Sequence, residues 1–309
     1  MAVLVTGGAG FIGSALVARL LARGDVVHVL DDLSTGRMDR LPPHPHLHFV
    51  KGDICDAGAL QRVLTGVDVA FHHAAIASVA ASVADPARSM HVSAVGTARL
   101  LEVGRATGLR RVVFASSSAV YGDDAPVPTP EEAPLAPRSP YAVGKASAEA
   151  LLRCAGALYG IDAVVLRYFN VYGAGQDPKG DYAAAIPRFV TCLQDGQSPT
   201  FFGDGRQTRD FCHVSDVVEA NLAAAAAPSA MAGRAFNVGT GRPIDLWALW
   251  AALGEAGAHQ PPARSPVVAP ARAGDVRHST ADVRRAGDEL GWTARVALAT
   301  GLRDLFGTP

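Results

Sequence analysis

The sequence predicts an α/β protein with a doubly wound parallel sheet, and three observations support this prediction. Short apolar segments alternate with helical segments from the first residue onward, a pattern typical of a parallel sheet covered by helices on both faces. The first predicted strand runs directly into a glycine-rich turn and a helix, as does the first unit of a doubly wound sheet. The chain of 309 residues is too long for one small core, so a second, smaller lobe is expected.

The first half of the chain supplies the predicted sheet. Apolar runs predict six strands, at residues 2–6, 26–30, 47–50, 67–72, 111–115 and 163–166. Helical patterns predict four helices between them, at residues 11–21, 57–64, 86–107 and 140–159.

The second half has a different texture. After about residue 170, loops containing glycine and proline separate shorter helices, predicted at residues 183–195, 214–227, 244–256 and 281–289. The proline-rich stretch at residues 261–270 is predicted to be an extended surface segment that leads to another strand. We therefore predict one domain over residues 1–169 and a smaller α/β lobe over residues 170–309, some of whose segments return to the first domain.

Composition argues against several classes of function. The formal net charge is −1, and no basic stripe indicates a nucleic-acid partner. No apolar run reaches the ~18 residues that a membrane-spanning helix needs, and the amino terminus lacks the basic segment of a signal peptide. We expect a cytoplasmic protein with no membrane partner.

Cysteine and histidine spacing predicts no metal site. Cys55, Cys154, Cys192 and Cys212 are far apart in sequence and form no C-x-x-C pair, which favours reduced thiols over disulfides or zinc ligands. The histidines of the segment at residues 44–48 have no acidic or cysteine neighbours, so a solvated loop is expected there.

The glycine-rich turn has the spacing of a dinucleotide-binding motif. Gly7, Gly10 and Gly13 open the first helix, where backbone N–H groups can approach a pyrophosphate. Asp31 ends the second strand, and its carboxylate can accept ribose hydroxyls while repelling a 2′-phosphate. This Rossmann pattern favours NAD over NADP, although Arg37 leaves NADP open.

Tyr141 and Lys145 are four residues apart on one predicted helix, so their side chains project from the same face. A lysine beside a tyrosine is expected to lower the phenol pKa from its usual value near ~10, which would make Tyr141 a usable base. Three serines, at residues 116–118, directly follow the strand at residues 111–115. They lie at the sheet edge where open α/β folds bind ligands. A serine there can contact a reacting oxygen, or the run can be a polar exit from the strand.

The motifs TGGAGFIG, DDLSTG, GDI, FHHAA, SSSAVYG, YAVGK, RYFNVYG, FFGDGRQTRDF and FNVGTG follow one another along the chain. This ordered set resembles the extended short-chain dehydrogenase/reductase family of NAD-dependent epimerases and dehydratases, specifically its UDP-hexose 4-epimerases, over residues 1 to about 292. The resemblance implies that NAD is the cofactor, that Ser117 is the catalytic serine, that Tyr141 is the base and that Lys145 is its partner.

The same resemblance assigns binding residues. The implied cofactor site comprises Gly7, Gly10, Phe11, Ile12, Asp31, Asp32, Ser34, Gly36, Asp53, Ile54, Ala74, Ala75, Tyr141, Lys145 and Tyr168. The implied substrate site comprises Ser117, Asn170, Ile186, Pro187, Phe189, Arg209, Arg272, Asp275 and Ser279. Asp53 could equally be a helix N-cap, and residues 186–189 could equally be helix core.

The implied reaction inverts C4 of a UDP-sugar through a 4-keto intermediate, with transient NADH. Dehydratases of the family resemble this chain except for acidic residues just after the catalytic serine, where Ser118 and Ala119 stand here, so dehydration is disfavoured. A UDP-sugar dehydratase, a decarboxylase, a UDP-glucuronate epimerase and a non-catalytic NAD-binding regulator remain alternatives.

Two further expectations concern the sugar and the assembly. Ser279 stands where a bulky tyrosine restricts some family members to unacetylated hexoses, which favours UDP-GlcNAc and UDP-GalNAc, with UDP-glucose and UDP-galactose also possible. The helices predicted at residues 86–107 and 140–159 match those that pair across a family dimer contact, so a homodimer is expected.

Overall fold

A seven-stranded, wholly parallel sheet forms the centre of the computed structural model, which describes residues 1–177, 185–228, 231–257, 264–271 and 276–307. Its strand order is β11-β6-β5-β4-β1-β2-β3. The strands are β1 (Ala2–Thr6), β2 (Val26–Asp31), β3 (Leu47–Lys51), β4 (Val69–His72), β5 (Arg111–Ser117), β6 (Asp162–Tyr168) and β11 (Arg234–Val238).

Helices cover both faces of this sheet because side chains of opposite parity along each strand point to opposite faces. On β1, Val3 and Val5 contribute to one core with α1 (Phe11–Ala22), α8 (Val214–Ala226) and α10 (Arg284–Leu290). Leu4 contributes to the other core with α2 (Ala57–Leu64), α5 (Gly96–Thr107) and α6 (Pro140–Tyr159). The predicted doubly wound α/β fold is confirmed.

The second half of the chain also builds three small sheets. These pair β7 (Val171–Tyr172) with β10 (Cys212–His213), β8 (Thr200–Phe202) with β13 (Val267–Ala269), and β9 (Thr208–Arg209) with both β12 (Ile244–Asp245) and β14 (His278–Ser279). A separate core joins β8 to α7 (Ala185–Gln194), α9 (Leu246–Ala256) and α11 (Leu298–Asp304).

The six predicted strands are present, but the prediction missed the seventh. β11 lies beside β6 in parallel register, with Phe236 opposite Leu166. The Phe236 side chain is fully buried. β11 has only five residues and is flanked by loops in a glycine- and alanine-rich region. Its apolar pattern is too short to identify it as a strand of the main sheet.

Several predicted boundaries were also wrong. The helix expected at residues 86–107 begins as α4 (Pro86–Met90), widens into a π-helical turn (His91–Val95) and continues as α5. Ser93 O, in that turn, accepts from Thr97 Oγ1 of α5 at 2.6 Å, and the same hydroxyl lies 3.0 Å from His72 Nε2. Asp245 caps α9 through Ala248 N, so this helix begins two residues later than predicted.

The structure also bears on the helices, the cysteines and the metal ligands expected from the sequence. A short helix, α3 (Val79–Ala84), precedes α4 and was not predicted. All four cysteines are unpaired. Within the described part of the chain, no helix is both long and apolar enough to cross a bilayer, and no three histidine, cysteine or acidic side chains are grouped as metal ligands.

Candidate active site

A cleft of about 570 Å³ opens at the carboxyl ends of the central strands. It lies where β1 is flanked by β4 on one side and β2 on the other, so the chain connections leave in opposite directions there. Open α/β sheets bind ligands at such a switch point.

The glycine-rich turn forms the floor of the cleft, and its glycines are required by close backbone approach. Gly7 has φ of +68°, and a Cβ there would lie 2.8 Å from Ala74 N. A Cβ on Gly13 would lie 2.2 Å from Gly7 O. Neither position has room for a side chain. With glycine at both, the backbone N–H groups at the first turn of α1 stay accessible to a phosphate group.

Asp31 is held rigidly at the end of β2. Its carboxylate accepts hydrogen bonds from Ala9 N at 2.9 Å and Leu33 N at 2.8 Å, and the side chain is mostly buried. Gly36 packs against it, since a Cβ on Gly36 would lie 2.6 Å from Asp31 Oδ1. One carboxylate thus joins the glycine turn to the loop after β2.

Most of the predicted cofactor residues converge on this cleft. Those that line it are Gly7, Gly10, Phe11, Ile12, Asp31, Asp32, Ser34, Asp53, Ile54, Ala74, Ala75, Tyr141, Lys145 and Tyr168. Gly36 does not line it but supports Asp31 from behind. Asp53 is not the N-cap of α2, because Asp56 caps that helix through Gly58 N while Asp53 accepts from Cys55 N.

Tyr141 and Lys145 project from the first turns of α6 toward the end of β5. Lys145 is almost completely buried, and its Nζ donates to Ala115 O at 2.6 Å. The ammonium lies 5.9 Å from the centroid of the Tyr141 ring, and the Ser117 hydroxyl is close enough to the Tyr141 phenol to lower its pKa. Tyr141 and Lys145 line this end of the cleft together with Ser116. Ser117 is not a lining residue but lies beside Tyr141.

Burial decides the protonation of these groups in the protein alone. It raises the pKa of Tyr141, with the nearby Ser117 hydroxyl as a smaller opposing effect. The sequence-based expectation of a lowered phenol pKa is wrong for this state, because Lys145 donates to Ala115 O and burial dominates. Burial also lowers the pKa of Lys145 to about 8, and the Glu149 carboxylate opposes that shift.

Apart from Ser117, the predicted substrate residues that the structure describes occupy three places outside the lining of this cleft. Arg209 and Ser279 are direct neighbours across β9 and β14, and Asn170 Nδ2 donates to Asp210 O at 3.4 Å. Ile186 and Pro187 line a separate pocket of about 130 Å³, whereas Phe189 packs in the lobe core against Phe201 and Trp250. Arg272 and Asp275 lie outside the described residues.

Sequence reasoning missed several residues that line the cleft. His73 contributes beside Ala74. Arg40 reaches the cleft from a 3₁₀ turn (Met38–Arg40), and Arg88 reaches it from α4. Arg88 lies 3.6 Å from Asp32, and Arg40 donates to Gly175 O at 2.9 Å. None of the three has a spacing signal of its own; only the position of His73 within FHHAA pointed toward the site.

The NAD dependent epimerase/dehydratase family model matches residues 3–239. The chain belongs to this family. The match spans the glycine turn, Ser117, Tyr141 and Lys145, so the residues that build the cleft are those the family model covers.

Named relatives are similar over nearly their whole length. UDP-glucose 4-epimerase of Mycolicibacterium smegmatis is 44% identical, with 98% of this chain and 96% of that protein covered. The crystal structure of a Thermotoga maritima UDP-glucose 4-epimerase with UDP-glucose has a TM-score of 0.92 at 39% identity, covering 99% of this chain and 97% of the other.

A second solved structure carries a different sugar. UDP-N-acetylglucosamine 4-epimerase of Methanobrevibacter ruminantium, in complex with UDP-N-acetylmuramic acid, has a TM-score of 0.92 at 36% identity, covering 98% of this chain and 96% of the other. Relatives named dTDP-glucose 4,6-dehydratase are 35–37% identical. Identity alone therefore does not separate the two reactions.

NAD is the cofactor of this family, and the cleft fits it. The glycine floor leaves room for a pyrophosphate, and the fixed Asp31 carboxylate stands where a ribose diol would be received. Tyr141, Lys145 and Tyr168 line the other end, where a nicotinamide ring would lie when the adenosine end is beside Asp31.

Replacing Gly7 with alanine should weaken NAD binding by roughly tenfold or more, equivalent to about 1.4 kcal/mol, because the new methyl group collides with the Ala74 backbone. The measurement is NAD affinity by calorimetry. Gly24→Ala is the matched control: Gly24 has φ of +83°, but a Cβ added there would have no atom within 4 Å. It should cost about 1 kcal/mol of stability and leave NAD affinity unchanged; equal NAD affinities in both variants would contradict the assignment.

Proposed function

We propose that this protein inverts C4 of a UDP-hexose through a 4-keto intermediate, with NAD retained as a catalytic hydride carrier. The observation that carries the proposal is that Tyr141 and Lys145 line one end of a dinucleotide cleft, with Ser117 beside Tyr141. Named 4-epimerases with high structural similarity to the whole chain support it.

The protein's own groups account for the proton transfers. Bound NAD supplies an acceptor for the C4 hydrogen as hydride. Tyr141 takes the proton of the 4-hydroxyl and returns it later, and Ser117 holds the same sugar oxygen by a hydrogen bond. The buried Lys145 ammonium stabilises the phenolate that Tyr141 becomes.

Dehydration is the less favoured reaction because it needs an additional acid and base. A dehydratase must remove a C5 proton and protonate a leaving hydroxyl. Ser117 is followed by a 3₁₀ turn (Ser118–Tyr121) without a carboxylate. A regulator that binds NAD without catalysis would have no use for a serine, a buried lysine and a tyrosine brought together in this way.

The test is ¹H NMR of products from UDP-glucose, UDP-galactose, UDP-GlcNAc and UDP-GalNAc without added cofactor. We expect C4 epimers of unchanged mass. Tyr141→Phe should lower the rate by about 10²–10⁴-fold with NAD still bound, whereas Tyr159→Phe, at the exposed end of the same helix, should match the wild type. Loss of water or CO₂, or undiminished turnover by Tyr141→Phe, would refute the proposal.

For the sugar, we propose acetylated UDP-hexosamines, with unacetylated hexoses as further substrates. Ser279 is small and only partly buried, and it stands beside Arg209, a candidate phosphate ligand. A serine at this position leaves room for an N-acetyl group. The relative that acts on UDP-N-acetylglucosamine supports this choice.

Ser279→Tyr should therefore lower kcat/KM for UDP-GlcNAc by about tenfold or more while changing that for UDP-glucose by less than about threefold. The added ring fills the volume that the acetamide would occupy. Ser279→Ala serves as the control and should retain both activities. Equal losses for the two sugars would place the acetamide elsewhere.

We also propose a homodimer formed through α3, α6 and the π-helical turn. Apolar side chains on these adjoining elements are unusually exposed: Val79 48%, Val83 63%, Val95 42%, Val143 39% and Leu151 36%. An apolar patch of this kind is typical of a protein–protein interface.

We also propose a cytoplasmic location, which accords with the four unpaired cysteines.

Light scattering coupled to gel filtration tests the dimer. The wild type should elute as a dimer, and Val143→Glu with Leu151→Glu should elute as a monomer because two buried, unpaired charges destabilise an apolar interface. Val267→Glu with Val268→Glu alters two similarly exposed residues of β13, at 56% and 57%, and should remain dimeric. A monomeric wild type would contradict the proposed assembly.

A further inference from the structure

Three consecutive residues at the end of β5 each contact one of three residues spaced four apart on α6. Ser117 lies beside Tyr141 and lowers the pKa of its phenol, and Ala115 O accepts from Lys145 Nζ. Between them, Ser116 Oγ donates to Glu149 Oε1 at 2.5 Å. Because residues four apart lie on one helix face, Glu149 lies on the same face of α6 as Tyr141 and Lys145, one turn further along.

Glu149 is completely buried and fully engaged. Besides Ser116, its carboxylate accepts from Arg167 Nε at 3.1 Å and Nη2 at 2.7 Å, and the half-exposed Arg153 lies 3.6 Å from it on the same helix. Arg167 in turn donates to Tyr121 Oη at 2.9 Å and to Glu131 O at 3.0 Å. This network fixes α6 to β5, β6 and the turn after β5.

The charges around Lys145 make Glu149 important for a second reason. On α6 the lysine faces Tyr141 and Glu149, and at the end of β4 it faces His72 and His73. Burial and Lys145 lower the pKa of both histidines to about 3, so they are neutral near pH 7. Glu149 is then the acidic side chain that favours the charged form of Lys145 in the described surroundings.

We propose that Glu149 is a positioning residue of the active site, whose buried carboxylate holds the end of β5 in place and keeps Lys145 positively charged. The carboxylate does not touch substrate; it acts through Ser116 on the strand that carries Ser117, and through its charge on Lys145. This inference deepens the proposed function and rests on it for the catalytic use of Lys145.

The pKa of Lys145 tests the proposal directly, because the chain contains only three lysines, Lys51, Lys145 and Lys179. Lysine labelled with ¹³C at Cε gives three signals, which Lys51→Arg and Lys179→Arg assign. At a fixed NAD occupancy, Glu149→Gln should lower the pKa of Lys145 by about one pH unit. The alkaline limb of kcat should move down by the same amount.

Arg167→Lys is the matched control. It breaks the two-nitrogen contact with Glu149, and so lowers stability, but it keeps both charges; the pKa of Lys145 should stay at the wild-type value. Should Glu149→Gln fail to fold because Arg167 is left unpaired, the double variant Glu149→Gln with Arg167→Met removes the stranded cation. It should still lower the Lys145 pKa, since Glu149 rather than Arg167 acts on the lysine.

An unchanged Lys145 pKa in the folded Glu149 variants would overturn the proposal, as would an equal shift in Arg167→Lys. The titration requires no sugar substrate. A lowered pKa in a protein that epimerises nothing would refute the proposed function alone, and an unchanged pKa in an active epimerase would refute this inference alone.

Discussion

The hydrogen bond from Lys145 Nζ to Ala115 O is the contact on which the arrangement of the site depends. It fastens the first turns of α6 to the carboxyl end of β5 at 2.6 Å, in a place from which water is almost entirely excluded. That attachment determines where Tyr141 stands relative to Ser117. It also places the Lys145 ammonium 5.9 Å from the centroid of the Tyr141 ring, where a cation would stabilise the proposed phenolate. The same buried ammonium therefore fixes the position of α6 and serves the proposed proton transfer.

The cofactor half of the site was predictable because its signals are local. Gly7, Gly10 and Gly13 lie within one turn, and Asp31 follows at the end of the next strand. Tyr141 and Lys145 are separated by one helical turn, so a single spacing places both side chains on the same face. Each of these signals needs only the geometry of one strand or one helix. The family resemblance then identified Ser117 among three adjacent serines.

The rest of the fold and of the site depends on tertiary contacts between segments far apart in sequence, which no local sequence pattern predicts. β11 joins the sheet from a point 66 residues after the end of β6, and its five residues have no periodicity that separates them from a loop. Arg88 reaches Asp32 only because α4 packs over the cleft. Glu149 has a carboxylate four residues after Lys145, but its partners on β5 and β6 are 33 and 18 residues away. Likewise, Arg209 and Ser279 are neighbours through the register of a two-residue strand, which sequence alone could not specify.

The central claim is that one hydrogen leaves C4 and returns to the same carbon. Turnover of a UDP-hexose deuterated at C4, followed by ²H and ¹H NMR, tests it most directly. We expect the epimeric product to keep its deuterium at C4 in ordinary water, with no label in the solvent, because a carbon-bound hydride carried on the retained nicotinamide does not exchange with water. Replacement of the label by solvent hydrogen, or its appearance at C6 with loss of water, would contradict it.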